Sequence, residues 1–440
     1  MRFSKYFLTL LFFACGILAH AQQNNTLTLQ QCLDIAIKNN LTVKQDSLAA
    51  QQARIGYVQA KDNLFPSITG AGSRDLTSGR ATNPVTNAYI TQSVTSDNYN
   101  LQGSVTIFNG LALQSAIKQA SLAFQSGKMA FQAAKDIVTI NVITNYLQVL
   151  DAQEVLKQDT SQFAVARENL DRSEILEKAG DNKFASDVYD LRGSFQASKV
   201  NLVIAQNSLN SALLSLFQLM NIPYNKDAQL QPLNAEDLQG DNGVSADQVY
   251  NTALQQLAQV KAATLMRESA EKGVQYYKGL LYPQLSLGSG IGTNYSNLNP
   301  ASYYSQFRNN YGTYIQLGLN VPIFTNHIKK NAVALAKLNL LNYRYIEDNT
   351  KIQLKQNVEQ AWYNMAAAYN RYQALQDETK AYTESFRISK IRYEAGVLTS
   401  VDFVTSKNNM DAANLALISA RYDYYIYSKI LDYYQGKLSQ

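Results

Sequence analysis

Two stretches without proline constrain the fold of this chain more than any other feature. The first runs from 109 to 178 and the second from 326 to 394, so each has about 70 residues. At about 1.5 Å per residue, a helix of that length is a rod of about 105 Å, which no globular domain needs. The sequence therefore predicts two very long helices.

A shorter helix is predicted to follow each rod and to pack against it. Apolar residues recur in these helices at steps of three and four, a spacing of about 3.5 that is typical of coiled coils. Sharp reversals are predicted at Gly180 and Gly396, because glycine accepts the positive φ that ends a helix. The stripes predict packing surfaces. They comprise Val138, Val142, Val149, Ala152, Leu156, Phe163, Ala166 and Leu170 in the first rod, Val188, Leu191, Phe195, Leu202, Ala205, Leu209, Ala212, Leu216 and Leu219 after it, and Met410, Ala413, Leu417, Ala420, Tyr424, Tyr427, Leu431 and Tyr434 in the last helix.

The two halves of the chain match each other at a shift of 216 or 217 residues. Several different sequence motifs align at this one shift, which indicates an internal duplication. We predict a first structural repeat over 22–222, a connector over 223–244 and a second repeat over 245–440. The matching segments are Leu64–Ile68 with Leu281–Leu285, Ile107-Phe108 with Ile323-Phe324, and Ala179-Gly180 with Ala395-Gly396.

Each repeat also contains two predicted strands after a leading helix, which makes the fold class α+β. The leading helices are predicted over 28–63 and 245–281, and the strands over about 66–76, 98–108, 283–295 and 311–324. Apolar and polar residues alternate in them, as in Leu101, Gly103, Val105 and Ile107 against Gln102, Ser104 and Thr106. Long polar loops are predicted over 75–98 and 296–310.

The strands are about ten residues long, which fits a membrane-spanning strand as well as a half-buried soluble one. Four strands are too few for a closed barrel, since the smallest have about eight. A membrane location would therefore require several copies of the chain to share one barrel.

The first 21 residues have the features of an export signal. Arg2 and Lys5 precede an apolar run, and Ala19-His20-Ala21 resembles a cleavage site. Cys15 also permits a lipoprotein signal. Removing the segment lowers the net charge from +5 to +3, which is no signature of nucleic-acid binding.

Few residues suited to catalysis remain after the signal. His327 and Cys32 each stand alone, and there is no phosphate-binding glycine loop, metal-ligand cluster or nucleophile elbow. We predict no catalytic, cofactor-binding or metal-binding residues. No later run of about 18 apolar residues predicts a spanning helix, so the chain would re-enter a membrane only as a barrel.

The whole pattern resembles the TolC family of outer-membrane efflux proteins. Its most specific stretch is Tyr393–Asp402, with sequence YEAGVLTSVD, followed by Ala420–Tyr424. The resemblance implies a homotrimer with a twelve-stranded barrel in outer-membrane lipid and a periplasmic helical tunnel. It also implies an exit duct for efflux or type I secretion, working with a periplasmic adaptor and an inner-membrane transporter of the RND, ABC or MFS class.

The resemblance further implies a gate at the hairpin tips. Tyr393 matches the gate tyrosine, Asp402 matches an entrance aspartate, and Ser186-Asp187 replaces a threonine-aspartate pair. Leu398 stands where the family has an arginine, and Thr405 where it has a second aspartate. Without the family, Asp187 and Asp402 are helix-capping acids and Tyr393 is a packing residue. The tips implied to bind the adaptor comprise Ala179, Gly180, Ala395, Gly396, Leu398 and Thr399.

Two other functions remain open from the sequence. A soluble periplasmic coiled-coil scaffold would explain the helices and the duplication, although it leaves the alternating strands unexplained. An enzyme is disfavoured by the missing catalytic residues. The transported substrate is not encoded in any motif.

Overall fold

The computed structural model describes residues 26–83, 86–179, 185–233 and 243–437. The predicted leader with Cys15, Gly180 at the first hairpin tip and the connector residues 234–242 lie outside these ranges. The described residues form two compact units. One is mainly helical and comprises 26–45, 133–257 and 352–437; the other contains the main sheet and comprises 46–132 and 258–351. Each unit draws on both halves of the chain, so the predicted repeats are not separate compact units.

Each leading helix is in fact two helices. Helices α1 (Leu29–Asn39) and α2 (Leu41–Asp62) are separated by Asn40, whereas α5 (Ala246–Gln256) and α6 (Ala258–Gly279) are separated by Leu257. Both separating residues are extended, with ψ of 126° and 131°. The prediction of unbroken helices over 28–63 and 245–281 was therefore wrong, because neither break has a proline or glycine to mark it.

Both leading helices begin with the same capping box. The Thr28 and Ser245 hydroxyls accept hydrogen bonds from the backbone N–H groups of Gln31 and Gln248, whose side chains accept in return from the cap backbone. Two otherwise unpaired N–H groups are thereby satisfied at each helix start. The two caps are 217 residues apart, as are Asn40 and Leu257.

Four antiparallel strands form the main sheet in the order β2-β5-β7-β8. They span Ser67–Thr77 (β2), Val94–Phe108 (β5), Gln284–Ser296 (β7) and Gly312–Asn320 (β8). The register pairs Leu101 with Ile291, and Leu287 with both Val105 and Leu317. A bulge between Thr106 and Phe108 places Phe108 opposite Leu285, whereas the alternation predicted Ile107 on that face of the strand.

The four predicted strands are confirmed, but the end of β8 and the structure of the two predicted loops differ from the prediction. Strand β8 ends at Asn320 instead of 324, because Pro322 has no N–H for the ladder. The predicted loop 75–98 is largely paired, since β2 and β5 extend into it and β3 (Arg80–Thr82) pairs with β4 (Tyr89–Thr91) inside it. The predicted loop 296–310 contains helix α7 (Tyr303–Asn309), capped by Ser302.

The two predicted rods are confirmed as helices of equal length. Helix α3 (Ala112–Lys178) and helix α8 (Ile328–Glu394) have 67 residues each. Both follow a strand through two consecutive residues with positive φ, Gly110-Leu111 and Asn326-His327. His327 thus occupies a left-handed junction, with its ring 5.6 Å from that of Phe324.

Shorter helices return along each rod, α4 (Ala185–Met220) and α9 (Ser400–Tyr434). The predicted stripes supply much of the core, since fourteen of the 25 stripe residues are buried and the other eleven, among them Leu156, Phe163 and Leu202, are half-buried. By length and composition alone, residues 187–220 are also the one described helix that fits a membrane span. One side of this helix packs in the core through its apolar residues, whereas Val200, Val203 and Ile204 on another side are exposed.

The connector contributes a small parallel sheet. Strand β1 (Thr26–Leu27) pairs with β6 (Gln229–Leu230). The buried hydroxyl of Tyr146 lies 3.1 Å from the Leu27 carbonyl oxygen and 2.7 Å from that of Gln231. The Trp362 indole N–H donates to the Val244 carbonyl at 2.8 Å. Side chains of both rods therefore hydrogen-bond to the backbone of the connector, at Gln231 and at Val244.

The strand-to-helix junction gives a test of the fold. At Gly110, φ is +66° and an added Cβ would lie 2.3 Å from the Gly279 carbonyl oxygen, whereas Gly193 on α4 has no atom within 4 Å. We expect Gly110→Ala to lower the melting temperature by several degrees, because it adds a clash to an unfavourable φ. Gly193→Ala should leave it unchanged or raise it slightly, since alanine favours a helix. Equal melting temperatures for both variants, measured by circular dichroism, would contradict the junction geometry.

Candidate functional site

One face of the main sheet is apolar and exposed. Cross-strand rows on this face comprise Ile68, Gly103, Ser289 and Ile315, then Val105, Leu287 and Leu317, then Phe108, Leu285 and Leu319. Ile315 is 82% exposed and Ile68 is 69% exposed. An apolar band of this size on a sheet surface requires a covering, and in a membrane-spanning strand the covering is lipid.

The opposite face of the same sheet is polar. Gln102 lies opposite Thr69 and Gly290, and Ser104 lies opposite Ser67 and Gly288. The Ser67 and Ser104 hydroxyls are 3.2 Å apart on this face. The predicted alternation is therefore confirmed over most of β5, β7 and β8, and it gives the sheet one apolar and one polar side.

Aromatic residues border both ends of the apolar face. Exposed Phe65, Tyr282 and Phe324 lie beside the end that joins the helices, whereas Tyr99, Tyr303 and Phe307 lie toward the opposite end. Tyr99 packs edge-on against Phe307, and its hydroxyl is 2.9 Å from that of Tyr303. Aromatic girdles at two levels are typical of strands that cross a membrane between two aqueous phases.

The loop beyond β7 is held by a single buried amide. The Gln306 side chain accepts from the Ser296 N–H at 2.9 Å and donates to the carbonyls of Ser296, Asn299 and Ala301. These bonds satisfy backbone groups that a loop of this length leaves unpaired. The α7 loop is thus an ordered part of the aromatic end.

The second hairpin tip turns at the predicted glycine. Gly396 has φ of +74°, its N–H donates to the Tyr393 carbonyl and the Val397 N–H donates to the Arg392 carbonyl, both at 3.0 Å. This bond pair is a Schellman motif. Ala395 and Gly396 therefore stop α8 as predicted, and Ala179 follows the last residue of α3 at the first tip.

Thr399 and Asp402 form the cap of α9. The Thr399 hydroxyl accepts from the Asp402 N–H at 3.2 Å and lies 2.8 Å from its carboxylate oxygen, to which it donates. Asp402 is exposed. The structure thus makes Thr399 the cap and Asp402 an acid of the first helical turn, which is one of the roles that the sequence alone suggests.

An apolar core joins the four helices at the tips. Tyr393 stacks on the buried Phe403, with ring centroids 4.5 Å apart and planes at 15°. Leu398, at the position of the family's arginine, also packs against this core. The core residues comprise Leu170, Val188, Leu191 and Phe403, with Phe195, Phe386, Tyr393, Leu398 and Val404 around them.

Asp187 lies near enough to Tyr393 for its charge to act on the tyrosine hydroxyl. Burial raises the pKa of the Tyr393 hydroxyl, and the nearby charge of Asp187 raises it further. Asp187 itself is buried in the first turn of α4. Ser186 precedes it in α4, and its side chain is outside the described part of the chain.

Three contacts between the hairpins were not predicted from the sequence. The buried Ser400 hydroxyl donates to the Asp190 carboxylate at 2.9 Å, Arg172 lies 3.7 Å from Glu394, and Phe403 anchors the core. Phe386 and Tyr393 are seven residues apart, a heptad spacing that indicates the aromatic core. Ser400 and Asp190 lie in different halves of the chain, and no local pattern relates them.

A largely half-buried charged network connects α3, α8 and α9 farther from the tips. Burial raises the pKa of the Asp151 carboxyl to about 6, and the charge of Asp423 adds to this, while the Ser419 hydroxyl opposes it by donating to Asp151. Arg421 donates to Glu154, and Arg371 lies 3.6 Å from Asp423. Arg421 and Asp423 belong to the Ala420–Tyr424 stretch, which therefore ties the hairpins together.

The described residues contain no group of three histidine, cysteine, aspartate or glutamate side chains able to hold a metal ion. The fold and its surfaces instead define a class of protein, the outer-membrane channels with long periplasmic helices. The chain belongs to the outer membrane efflux protein family, whose profile matches residues 32–221 and 249–436. This is a family of channel proteins rather than enzymes, and its members lie in the outer membrane with a helical extension into the periplasm.

Individual relatives are distant. TolC of Escherichia coli K12 is 23% identical over 304 residues, which span 68% of this chain and 61% of TolC. The cation efflux system protein CusC of the same strain is 22% identical, covering 88% of this chain and 81% of CusC. The outer-membrane channel CmeC of Campylobacter jejuni has a similar fold, with a TM-score of 0.79 and 19% identity over 95% of this chain and 87% of CmeC.

The Asp151 network predicts a pH dependence of stability. Because the folded state holds this proton up to a pH of about 6, above the ordinary value of 3.8, stability is lost as pH rises between those values. We expect Asp151→Asn to raise the melting temperature at about pH 7.5 and to change it little at about pH 4. Asp402→Asn, at an exposed cap, is the control. A stabilisation by Asp151→Asn that is the same at both pH values would contradict the buried, repelled carboxyl.

Proposed function

We propose that this chain is the outer-membrane exit duct of a tripartite efflux or type I secretion system. It would conduct substrates passively across the periplasm and outer membrane. The observation that carries the proposal is the two-faced sheet, exposed and apolar on one side and polar on the other. Family membership supports it, and no catalytic step is part of it.

The duct is proposed to be a homotrimer with twelve strands in one barrel. A sheet of four strands cannot close on itself, and β2 and β8 are its free edges. The proposed duplication is supported by paired features at shifts of 216 and 217 residues, namely the caps, the helix breaks and the left-handed junctions. Three copies of a duplicated chain give six similar helical hairpins, enough to surround a tunnel.

The proposed gate is the apolar core at the hairpin tips. Tyr393 and Phe403 stack there, Asp187 lies near Tyr393, and the Ser400–Asp190 hydrogen bond joins the two hairpins. Leu398 adds apolar contact in place of the family's arginine. We therefore propose a gate held mainly by aromatic packing within each copy, with exposed Asp402 as an entrance acid.

The partners are proposed from the family. A periplasmic adaptor would bind the tips around Ala179, Gly180, Ala395, Gly396, Leu398 and Thr399, and an inner-membrane transporter of the RND, ABC or MFS class would supply substrate. CusC is named for cation efflux, and TtgC of Pseudomonas putida, also 22% identical, for toluene efflux. Such different names at equal identity leave the substrate of this chain unassigned.

Neighbouring residues of β8 provide a matched test of the duct. Leu317 faces the apolar side of the sheet and Gln316 the polar side. In a barrel, Leu317→Arg places a charge in lipid at about 2–4 kcal/mol per copy, whereas Gln316→Arg places it in water. We expect Leu317→Arg to abolish two readouts, the oligomer from outer membranes that dissociates on heating and the channels that the protein forms in planar bilayers. Gln316→Arg should retain both. Wild-type protein released with the soluble periplasm would contradict the proposal.

The tip core predicts a gating phenotype. Removing the stacked ring in Tyr393→Ala should cost the closed state about 1.5 kcal/mol, which shifts the open fraction about tenfold. Ser400→Ala should act in the same direction but more weakly, since it removes one hydrogen bond. The control is Tyr345→Ala, an exposed tyrosine of α8. If single-channel conductance in planar bilayers is the same for all three variants, the tip core stabilises the fold but does not gate the channel.

A further inference from the structure

Charge is confined to one end of the main sheet and its loops. Segments 67–108 and 284–320 together contain five charged residues, three arginines and two aspartates. All five lie at the end of the sheet that carries α7, the α7 end. They are Arg74, Asp75, Arg80, Asp97 and Arg308. The excess charge at this end is therefore positive, and arginine alone supplies it.

Helix α7 lies across the apolar face at the α7 end. The register places Tyr99, Thr293 and Tyr295 on that face. The Tyr303 ring packs against that of Tyr295, with centroids 4.6 Å apart, and the Thr293 hydroxyl donates to the Phe307 carbonyl at 2.8 Å. The other side of α7 therefore faces away from the sheet, toward the surroundings of the apolar face.

The outward side of α7 presents a tyrosine and an arginine. Tyr304 and Arg308 are four residues apart, so they are neighbours on the helix surface. Tyr304 is 73% exposed, and Arg308 is exposed as well. A tyrosine beside a cation at the border of an apolar band suits the headgroup layer of a membrane, where an amphipathic ring meets both hydrocarbon and polar groups.

A second arginine is held on the apolar face by a buried acid. Arg74 lies opposite Asp97 on this face and donates two hydrogen bonds of 2.7 Å to its carboxylate. Asp97 is wholly buried, whereas the Arg74 side chain is 68% exposed. A guanidinium has five N–H groups, and the other three of Arg74 have no partner among the described residues. Asp97 thus fixes the orientation of a guanidinium that retains open donors.

The two arginines are close enough to bind the same ligand. Arg74 is near Tyr303, and Arg308 lies five residues farther along α7, a rise of about 7.5 Å. A planar guanidinium with paired donors matches the oxygens of a phosphate. Two such groups match a phosphomonoester best, because it carries close to two negative charges and three acceptor oxygens.

We propose that the α7 end of the apolar face binds a membrane lipid whose headgroup carries a phosphomonoester. Arg74 and Arg308 would bind the phosphate, and Tyr304 would pack against the headgroup beside it. Asp97 is a positioning residue, because it acts through Arg74. This inference rests on the proposed function, because the apolar face meets lipid only if the sheet belongs to a barrel.

Native mass spectrometry of the purified oligomer in detergent, titrated with one lipid at a time, tests the site. The lipids are diphosphorylated lipid A, which has two phosphomonoesters, phosphatidylglycerol, which has one phosphodiester, and phosphatidylcholine, which has no net charge. Arg308→Gln removes the outward arginine. The double variant Arg74→Gln/Asp97→Asn removes the pair together, because Arg74→Gln alone would leave a buried acid unpaired. The matched control is Lys330→Gln, an exposed cation near the start of α8, at the opposite end of the sheet.

We expect wild-type protein to bind lipid A about fivefold more tightly than phosphatidylglycerol, and phosphatidylcholine most weakly. Arg308→Gln and the double variant should each weaken lipid A binding about fivefold, whereas Lys330→Gln should change it less than about twofold. Equal affinities for lipid A and phosphatidylglycerol, or equal lipid A affinities for wild type and both variants, would overturn the inference.

Channel recordings of the same preparations in planar bilayers separate this inference from the proposed function. Wild-type channels without a preference for lipid A would overturn the lipid site and leave the duct intact. If the wild-type protein forms neither an oligomer nor channels, the proposed function fails together with the inference.

Discussion

The free edges of the main sheet are the constraint on which the rest of this structure depends. Strands β2 and β8 each present one row of backbone N–H and C=O groups without a partner in the described chain. In water such edges favour association, and in lipid each unpaired group costs several kcal/mol. The chain cannot turn its apolar face to lipid as a single copy without exposing these edges. Closure with other copies satisfies both demands at once, since it pairs the edges and encloses the polar face.

The long helices solve the same problem of backbone pairing by a different route. A helix of 67 residues satisfies its own interior, so only its ends need partners. Left-handed residues join strands to rods at Gly110-Leu111 and Asn326-His327, and a Schellman motif ends α8 at Gly396. At the second tip, Thr399 caps the returning helix. These local devices place the tip core and its aromatic stack where two hairpins meet.

Much of this architecture was predictable from local patterns. The rods follow from absent prolines, the strands from strict alternation, and the turn at Gly396 from glycine's tolerance of positive φ. The helix breaks at Asn40 and Leu257 were missed because extended asparagine and leucine carry no breaker signal. Strand β5 begins at Val94 because its polar residues pair with β2 and β7, and pairing of that kind depends on distant segments.

Some residues of the candidate site could likewise be found from the sequence, whereas others are seen only in the structure. Gly396 was found from glycine's tolerance of positive φ, whereas Tyr393 and Asp187 were found by family resemblance, and in the structure the charge of Asp187 acts on Tyr393. Asp402 is an acid in the first turn of the helix that Thr399 caps, as its position after Thr399 suggests. Phe403, Ser400 and Asp190 were missed, since they meet only when the two hairpins pack. Sequence alone therefore indicates where the tips are, whereas the tertiary packing shows what holds them.

Electron cryomicroscopy of the complex extracted from outer membranes would test the central claim most directly. The account predicts three copies around one axis, with β8 of each copy hydrogen-bonded to β2 of the next and with Ile315 and Leu317 facing the detergent. A single copy with both edges free, or a complex in which Ile315 and Leu317 line the interior, would contradict it.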